Sequence, residues 1–423
     1  MALPLADPFA HAEAHFKRAL LLVSQFRHAQ AEIEYRHVLS LLPDAAEAHS
    51  NLANVLEVLD RLPEAETHVR IALCLNPALA EAHYNLGSLM RQQGRLKEAE
   101  AAYRQALALR PDYFDATFSL ATLLISIGEY EEGWMRYESR YMHPLFVHGR
   151  SRELLRCEPW RGETLAGKSL LVWQEDGLGD MIQFARYLPM LKAAGARRIT
   201  VACVGALHRL IASVDGVDAV LDHDTAQSQR FDCWTSLMSA PHHFGTRLDT
   251  IPAPWPVRAE AASIEKWRRA LDALPGKRRI GLVWKGNPKH HNDENRSLPS
   301  LSTLAPLWSV PDVSFVSLQK GAHETDDAPV LPLGALTTDL ADTAAIIAQL
   351  DLVIGVDTSV AHLAATMGKP CWILLPERDV DWRWMHQRDD SPWYPQTVRL
   401  FRQWGEGGWT RSIERVRRAL LDF

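Results

Sequence analysis

One segment in the second half of the sequence joins a glycine turn to an acidic residue at a helix start. The apolar run Ser169–Gln174 leads into EDGLGD, and the helical pattern MIQFARYLPMLKAAG follows. Gly177 and Gly179 permit close approach of the backbone, and Asp180, near the end of a strand, is placed to act as a general base. Helix capping is the alternative role for Asp180. The turn lacks the third glycine of a dinucleotide-binding fingerprint, which argues against a dehydrogenase.

A second segment, RIGLVWKGNPKHHNDENRSLP, places cations after a predicted strand. Lys285 and Asn287 stand at the end of the strand, and Lys289 and Arg296 follow in a polar loop. Cationic side chains at this position could hold a diphosphate through charge-assisted hydrogen bonds. A solvated loop that binds nothing is the alternative.

Two adjacent histidines of this loop, His290 and His291, are potential metal ligands. Neighbouring residues rarely point at one ion, and no Asp, Glu or Cys partner stands at ligand spacing. We therefore expect neither a metal nor another cofactor at this site.

A third segment, LDLVIGVDTSVAHLAATMGKPCWILLP, ends a buried strand at Asp357. Thr358, Ser359 and Val360 then begin a helix that carries His362. Free N–H groups and the positive end of the helix dipole make such a helix start a suitable place for an anion. In the alternative interpretation, Asp357 and Thr358 only cap the helix and His362 is a structural histidine.

A fourth segment, ERDVDWRWMHQRDDSPWYP, is dense in aromatic residues. Trp382, Trp384, Trp393 and Tyr394 all fall within it. Rings at this density could stack a sugar or a base. The alternative is a small aromatic core beneath a long loop.

The pattern around these segments predicts two α/β lobes. Short apolar runs alternate with helical stretches, which indicates βαβ units and parallel sheets. A proline-rich hinge, Thr250–Val257, separates two sets of strands. The predicted strands are Ser169–Gln174, Arg198–Val204, Ala219–Asp222 and Phe231–Ser236, then Arg279–Lys285, Ser314–Gln319, Leu352–Val356, Cys371–Leu375 and Val398–Phe401. We assign the lobes to residues 169–255 and 256–423, with a closing helix at Ser412–Asp422 that packs across both.

The first third of the sequence repeats every 34 residues, as its prolines at 43, 77 and 111 show. Small residues recur at one position of the unit, and mostly large ones at another. These are Ala19, Ala53, Gly87 and Ala121, and Tyr35, Val69, Tyr103 and Tyr137. This period is that of tetratricopeptide repeats (TPRs), which are helix pairs that stack into a superhelix with a concave binding face. We predict a TPR array of about four repeats over residues 12–140, then a linker at 141–168.

Composition excludes several classes of protein. The 423 residues carry a formal charge of −6 without a polybasic run, so nucleic acid is not an expected partner. The five cysteines are far apart, which predicts reduced thiols in a cytoplasmic protein. No secretory signal pattern and no apolar stretch of about 18 residues stands out, so we expect no integral membrane segment.

The order of the motifs resembles a known enzyme family. From about Leu165 onward, the landmarks G-L-G-D, K-G-N with a following N-R-S, and D-T-S-V-A-H-L-A-x-x-x-G-K-P are similar to those of glycosyltransferase family 9. That family contains the ADP-heptose:lipopolysaccharide heptosyltransferases. The repeats and the G-E-Y-E-E-G-W stretch make the chain resemble the TPR-linked bacterial glycosyltransferases in particular.

The resemblance implies a GT-B fold, in which two Rossmann-like lobes face each other across a cleft. Asp180 matches the family residue proposed to deprotonate the acceptor. Arg296 falls near the basic residue that contacts the donor diphosphate, but the loop is longer here than in the family, so Lys285 and Lys289 stay as alternatives. The D-[ST]-G-x-x-H element around the donor phosphates is matched by Asp357, Thr358, Ser359 and His362, with Ser359 at the family's glycine position.

The expected function is hexosyl or heptosyl transfer from a nucleotide sugar, ADP-heptose-like if the resemblance extends that far. The concave TPR face would select a protein acceptor such as flagellin, although a lipid-linked or polysaccharide acceptor stays open. The alternative is a TPR scaffold whose second half binds a nucleotide sugar without catalysis. The intact acidic, basic and hydroxyl positions favour the enzyme.

Overall fold

The computed structural model describes residues 8–142, 146–290, 292–321, 328–405 and 407–423. By its internal contacts the chain divides into two units. The first holds the described residues up to Leu124 together with Met135–Met142, and the second holds Ile125–Trp134 and the described residues from Phe146 onward.

Eight helices follow one another at the start of the described chain. They are α1 (Pro8–Ser24), α2 (His28–Leu41), α3 (Ala46–Val58), α4 (Leu62–Leu75), α5 (Ala80–Gln92), α6 (Leu96–Leu109), α7 (Phe114–Ile127) and α8 (Tyr130–Tyr137). Helices α2, α4 and α6 each end two residues before Pro43, Pro77 or Pro111, since proline lacks the N–H that would continue a helix.

The small and large positions of the repeat form the contact between paired helices. Ala19, Ala53 and Ala121 are buried, and so are Tyr35 and Tyr103. At Gly87 the Tyr103 ring lies so close that an added Cβ atom would come within 2.6 Å of it. The small residue therefore makes room for the large one, and the predicted TPR array is confirmed.

The second unit contains two parallel sheets. The first has the order β1-β5-β2-β3-β4, and the second has the order β11-β10-β9-β6-β7-β8. The strands are β1 (Glu158–Pro159), β2 (Ser169–Trp173), β3 (Arg198–Ala202), β4 (Ala219–Leu221), β5 (Cys233–Thr235), β6 (Arg278–Val283), β7 (Val313–Ser317), β8 (Val330–Pro332), β9 (Leu352–Val356), β10 (Cys371–Leu375) and β11 (Val398–Arg402). This architecture confirms the predicted GT-B-like fold class.

Helices connect the strands of each sheet. The first sheet carries α9 (Val147–Leu154), α10 (Leu178–Phe184), α11 (Leu188–Ala193), α12 (His208–Ala212), α13 (His223–Ser228) and α14 (Ala240–His243). The second carries α15 (Ala261–Asp272), α16 (Asp293–Arg296), α17 (Leu340–Ile347), α18 (Ser359–Thr366) and α19 (Gly408–Leu421). Ile413, Val416 and Leu420 of α19 join the core of the second sheet. The packing observed for the closing helix is thus on that sheet, rather than across both lobes.

The predicted linker, residues 141–168, is structured where it is described. It contains α9 and β1, and β1 pairs in parallel with β5 at the edge of the first sheet. The first α/β lobe therefore begins before residue 169. Two residues, one of them Pro159, are too few to give an alternating apolar pattern, so the sequence did not reveal this strand.

None of the helices in the described ranges is both long and apolar enough to cross a membrane.

Close strand packing gives a test of the second sheet. Gly355 on β9 pairs with Val283 on β6, and an added Cβ atom would lie 2.6 Å from the Val283 carbonyl oxygen. We expect Gly355→Ala to destabilise this unit by about 1–3 kcal/mol, because the backbone of a buried strand must shift. Urea unfolding followed by circular dichroism measures the loss.

Gly205→Ala is the matched control for this change. Gly205 has no atom within 4 Å of an added Cβ, so its replacement should leave the unfolding midpoint unchanged or slightly raised. Equal midpoints for the two variants would contradict the packing described for β6 and β9.

Candidate functional site

The candidate site lies where the first helices after two central strands meet. Helix α10 follows β2 of the first sheet, and α18 follows β9 of the second, and the two helices are in contact. A Cβ atom added at Gly179 would lie 2.8 Å from Cδ2 of His362. The glycine therefore allows α10 to lie directly against His362, at the carboxyl edges of both sheets, where ligands of open α/β folds bind.

Asp180 both caps its helix and faces the second sheet. Its Oδ2 atom accepts a hydrogen bond from the backbone N–H of Gly177 at 2.9 Å. Its Oδ1 atom accepts one from Nη2 of Arg383 at 2.5 Å. Asp180 therefore caps its helix with one carboxylate oxygen, which leaves the other for contacts outside the helix.

Asp357 and His362 form the other half of the site. Asp357 follows β9, and its Oδ1 atom lies 3.4 Å from Nε2 of His362. Nδ1 of His362 lies 3.1 Å from the Tyr394 hydroxyl. Burial alone would raise the pKa of Asp357, but the hydrogen bond from His362 and the charge of Arg383 outweigh it and hold that pKa well below its usual range. The carboxylate is thus stabilised in its ionised form.

The start of α18 presents groups suited to an anion. Thr358 is the N-cap residue in an extended conformation, and Ser359 and Val360 begin the helix. Within the described structure the buried Thr358 hydroxyl has no hydrogen-bond partner. Thr358 occupies the N-cap position, but its side chain makes no capping hydrogen bond. A free hydroxyl beside the free N–H groups of a helix start can bind a phosphate oxygen.

Arg383 joins these two halves, and the sequence reasoning missed it. Its Nη1 atom lies 3.3 Å from Nε2 of His362, and its Nε atom lies 2.9 Å from Oδ1 of Asp381. Burial would lower the pKa of Arg383, but the carboxylates of Asp381, Asp180 and Asp357 raise it well above its usual value. The signal available in the sequence was a charged residue between two tryptophans. The sequence interpretation considered only the tryptophans.

The predicted basic loop lies at the same edge of the second sheet. β6 pairs with β9, with Val283 opposite Gly355, so Lys285 and Asp357 lie on neighbouring strand ends. Lys289 and Asn287 are exposed.

The second half of this loop, which carries Asn292 and Arg296, is held in place by contacts within the loop and with a neighbouring segment. Nε of Arg296 lies 3.3 Å from Oδ1 of Asp293. Asn292 donates to the Asp379 carbonyl at 2.8 Å, which ties the loop to the chain that follows β10. His290 is exposed, and His291 lies outside the described residues.

The tryptophans occupy a core rather than an open surface. Trp384 and Trp393 are fully buried, and Trp382 is 8% exposed. Trp393 packs against Phe184 at 5.2 Å between ring centroids, and Trp134 meets Trp382 at the same separation. The predicted stacking of a sugar or base is therefore wrong for these residues, because neighbouring rings already cover their faces. The alternative, a small aromatic core, is the one observed.

Other candidate features lie away from this cluster. A surface cavity of about 620 Å³ lies at the amino-terminal edge of the first sheet, lined by residues that include Arg156 and Phe231. Among the described residues, His15, Glu34 and His37 in α1 and α2 bring three potential metal-ligand atoms within 4.8 Å of one another. Neither feature includes a residue of the predicted site.

The aromatic core gives a second test. Trp393→Ala should destabilise the unit by about 3–5 kcal/mol, because it empties a fully buried site between rings. Trp404→Ala, at a residue that is 50% exposed, should cost far less. Urea unfolding followed by circular dichroism compares the two, and equal losses would show that Trp393 is not a core residue.

Two segments match known families. Residues 80–113 match the tetratricopeptide repeat model. Residues 308–374 match the model of glycosyltransferase family 9 (heptosyltransferase), and this match runs from before β7 into β10. It therefore includes Asp357, Thr358 and His362 of the candidate site.

Similar proteins are found among curated sequences and solved structures. Protein FlbA of Caulobacter vibrioides is 28% identical over 331 residues, which are 69% of this chain and 52% of FlbA, so the chain spans about half the length of this relative. The structure of Pseudomonas aeruginosa pilF is 21% identical, with a TM-score of 0.31 over 35% of this chain and 72% of its own. MamA is also 21% identical, with a TM-score of 0.28 over 30% of this chain and 75% of its own.

The family models and the architecture agree on the two parts of the chain. The chain combines a tetratricopeptide-repeat array with an α/β region, and one segment of that region matches the model of glycosyltransferase family 9.

Proposed function

We propose that this protein transfers a sugar from a nucleotide-diphosphate donor to an acceptor hydroxyl. The observation that carries the proposal is the placement of Asp180 across from the Asp357–His362 element, with Arg383 between them. A candidate base and a candidate phosphate site thus face each other. This is the arrangement that transfer between two bound substrates needs, since it holds the reacting groups close together.

The donor diphosphate would lie at the start of α18. The Thr358 hydroxyl and the N–H groups of Ser359 and Val360 are suited to its oxygens. Lys285, together with the loop that carries Arg296, adds positive charge at the same sheet edge. Negative charge grows on the diphosphate as its bond to the sugar breaks, so these groups stabilise the transition state more than the bound donor.

Asp180 would accept the proton of the acceptor. The acceptor oxygen forms a bond to the anomeric carbon of the sugar while the bond to the diphosphate breaks. The nucleoside diphosphate leaves with that electron pair, and the acceptor proton moves to the Asp180 carboxylate. Basic side chains and the helix start carry the leaving charge, so the proposed chemistry requires no metal ion.

The repeats suggest that the acceptor is a protein. TPR arrays bind extended peptides or protein partners on their concave face, so the array would select the polypeptide that is modified. An ADP-heptose-like donor is proposed from the heptosyltransferases of the matching family. We further propose a cytoplasmic location, with which the free cysteines at all five positions agree.

The transfer assay tests this function directly. Purified full-length protein is incubated with ADP-heptose, UDP-sugars or CMP-nonulosonates, and release of the nucleotide is followed with and without candidate acceptor proteins. We expect release from a nucleoside-diphosphate sugar. If no donor reacts and calorimetry detects no nucleotide binding, the proposal fails, whereas binding without transfer supports a non-catalytic scaffold.

Asp180→Asn tests the proposed base. The substituted side chain keeps an oxygen that can accept the Gly177 N–H, so the helix cap is preserved while the basic oxygen is lost. We expect transfer to slow by about 10²–10⁴-fold with donor binding retained, as for loss of a general base.

Asp390→Asn is the matched control. Asp390 forms a pair with Arg388 of the loop after β10, 2.7 Å between Oδ1 and Nε, and lies outside the candidate site. Its replacement should leave transfer unchanged. Full activity of Asp180→Asn would exclude Asp180 as the base.

A further inference from the structure

Arg383 is held in a fixed position by its own segment. The side chain belongs to the turn Trp382–Trp384, which Asp381 caps by accepting the backbone N–H of Arg383 at 3.0 Å. The guanidinium lies over the Trp382 ring, 4.8 Å from its centroid, and the residue is 6% exposed. Because the turn that carries Arg383 is fixed in this way, the guanidinium can exchange partners only by a short movement of its own side chain.

The partners of this guanidinium differ in how firmly they are bound elsewhere. Asp381 belongs to the same turn, and Asp357, which acts on Arg383 through its charge, lies 3.4 Å from His362. Asp180 comes from α10 of the other sheet, and its Oδ1 atom is held by Arg383, while Oδ2 caps the helix. The Asp180 contact is therefore the one that a stronger anion could replace with least disturbance to the second sheet.

A donor diphosphate is such an anion, and it would arrive next to Arg383. Thr358 is the N-cap residue of the helix that carries His362, and Nε2 of His362 lies 3.3 Å from Nη1 of Arg383. The planar guanidinium matches phosphate oxygens in two parallel hydrogen bonds, and a diphosphate carries more charge than one carboxylate.

We propose that Asp180 and the donor diphosphate compete for Arg383, so that donor binding frees the Asp180 carboxylate for proton transfer. This inference rests on the proposed function and adds a donor-binding residue to it. Without donor, Arg383 neutralises Asp180 and holds the oxygen that would accept the acceptor proton. With donor, the guanidinium binds the diphosphate, and Oδ1 of Asp180 becomes available.

Competition for Arg383 predicts a change in nucleotide affinity that would not follow if Asp180 acted only as a base. Asp180→Asn should bind the nucleoside diphosphate about tenfold more tightly than the wild type, because the guanidinium no longer has to leave a carboxylate. A residue that acts only as a base would leave this affinity unchanged. Isothermal titration calorimetry with ADP, UDP, GDP and CDP on the full-length protein measures it.

A double-mutant cycle separates competition from general repulsion between Asp180 and an anion. Arg383→Ala and Arg383→Lys should each weaken nucleoside diphosphate binding by about tenfold, because both lose the planar fork. Adding Asp180→Asn to either variant should then change the affinity by less than about twofold. Simple repulsion predicts the same tightening in all backgrounds and would overturn the inference.

The controls keep the outcomes distinct. Asp390→Asn removes a carboxylate from a more exposed pair with Arg388, outside the candidate site, and should leave nucleotide affinity unchanged. If Arg383→Ala fails to fold, the Asp180→Asn and Arg383→Lys measurements still decide whether Asp180 and the diphosphate compete for Arg383.

Wild-type protein that binds none of the four nucleotides would refute the proposed function and this inference together. Wild-type binding with unchanged affinity in Asp180→Asn would refute the inference alone.

Discussion

A buried guanidinium must be paired, and the candidate site is organised around that requirement at Arg383. Removing a charge from water costs several kcal/mol unless opposite charges and hydrogen bonds replace the solvent. Asp180, Asp357 and Asp381 provide those charges, and His362 adds a further contact at 3.3 Å. This one group therefore holds together residues from a helix of the first sheet and from two loops of the second.

The aromatic core explains how the guanidinium can be buried at all. Trp382 covers one face of it, and Trp384 stacks on His362 with 5.3 Å between ring centroids. Trp393 and Phe184 continue this packing between the loop after β10 and helix α10. The tryptophans thus serve the site by excluding water from it, which strengthens the electrostatic interactions within it.

Close contact between the helices imposes a second constraint. The ring of His362 fills the space beside Gly179, so any side chain at that position would separate α10 from α18. Asp180, the next residue, would then move away from Arg383. The glycine in the turn is thus required by the approach of another helix, whereas the sequence alone indicated close backbone approach without showing what approaches.

Local patterns in the sequence determined much of this structure. The 34-residue period predicted the TPR helices because small and large residues must alternate where paired helices touch, as at Gly87 and Tyr103. Apolar runs predicted strands such as β9 and β10 at their observed limits, since a buried parallel strand is apolar on both faces. Only the tertiary structure decided that Arg383 meets Asp180, 203 residues away. That contact depends on how helices of two sheets pack together, and no periodicity within either segment records it.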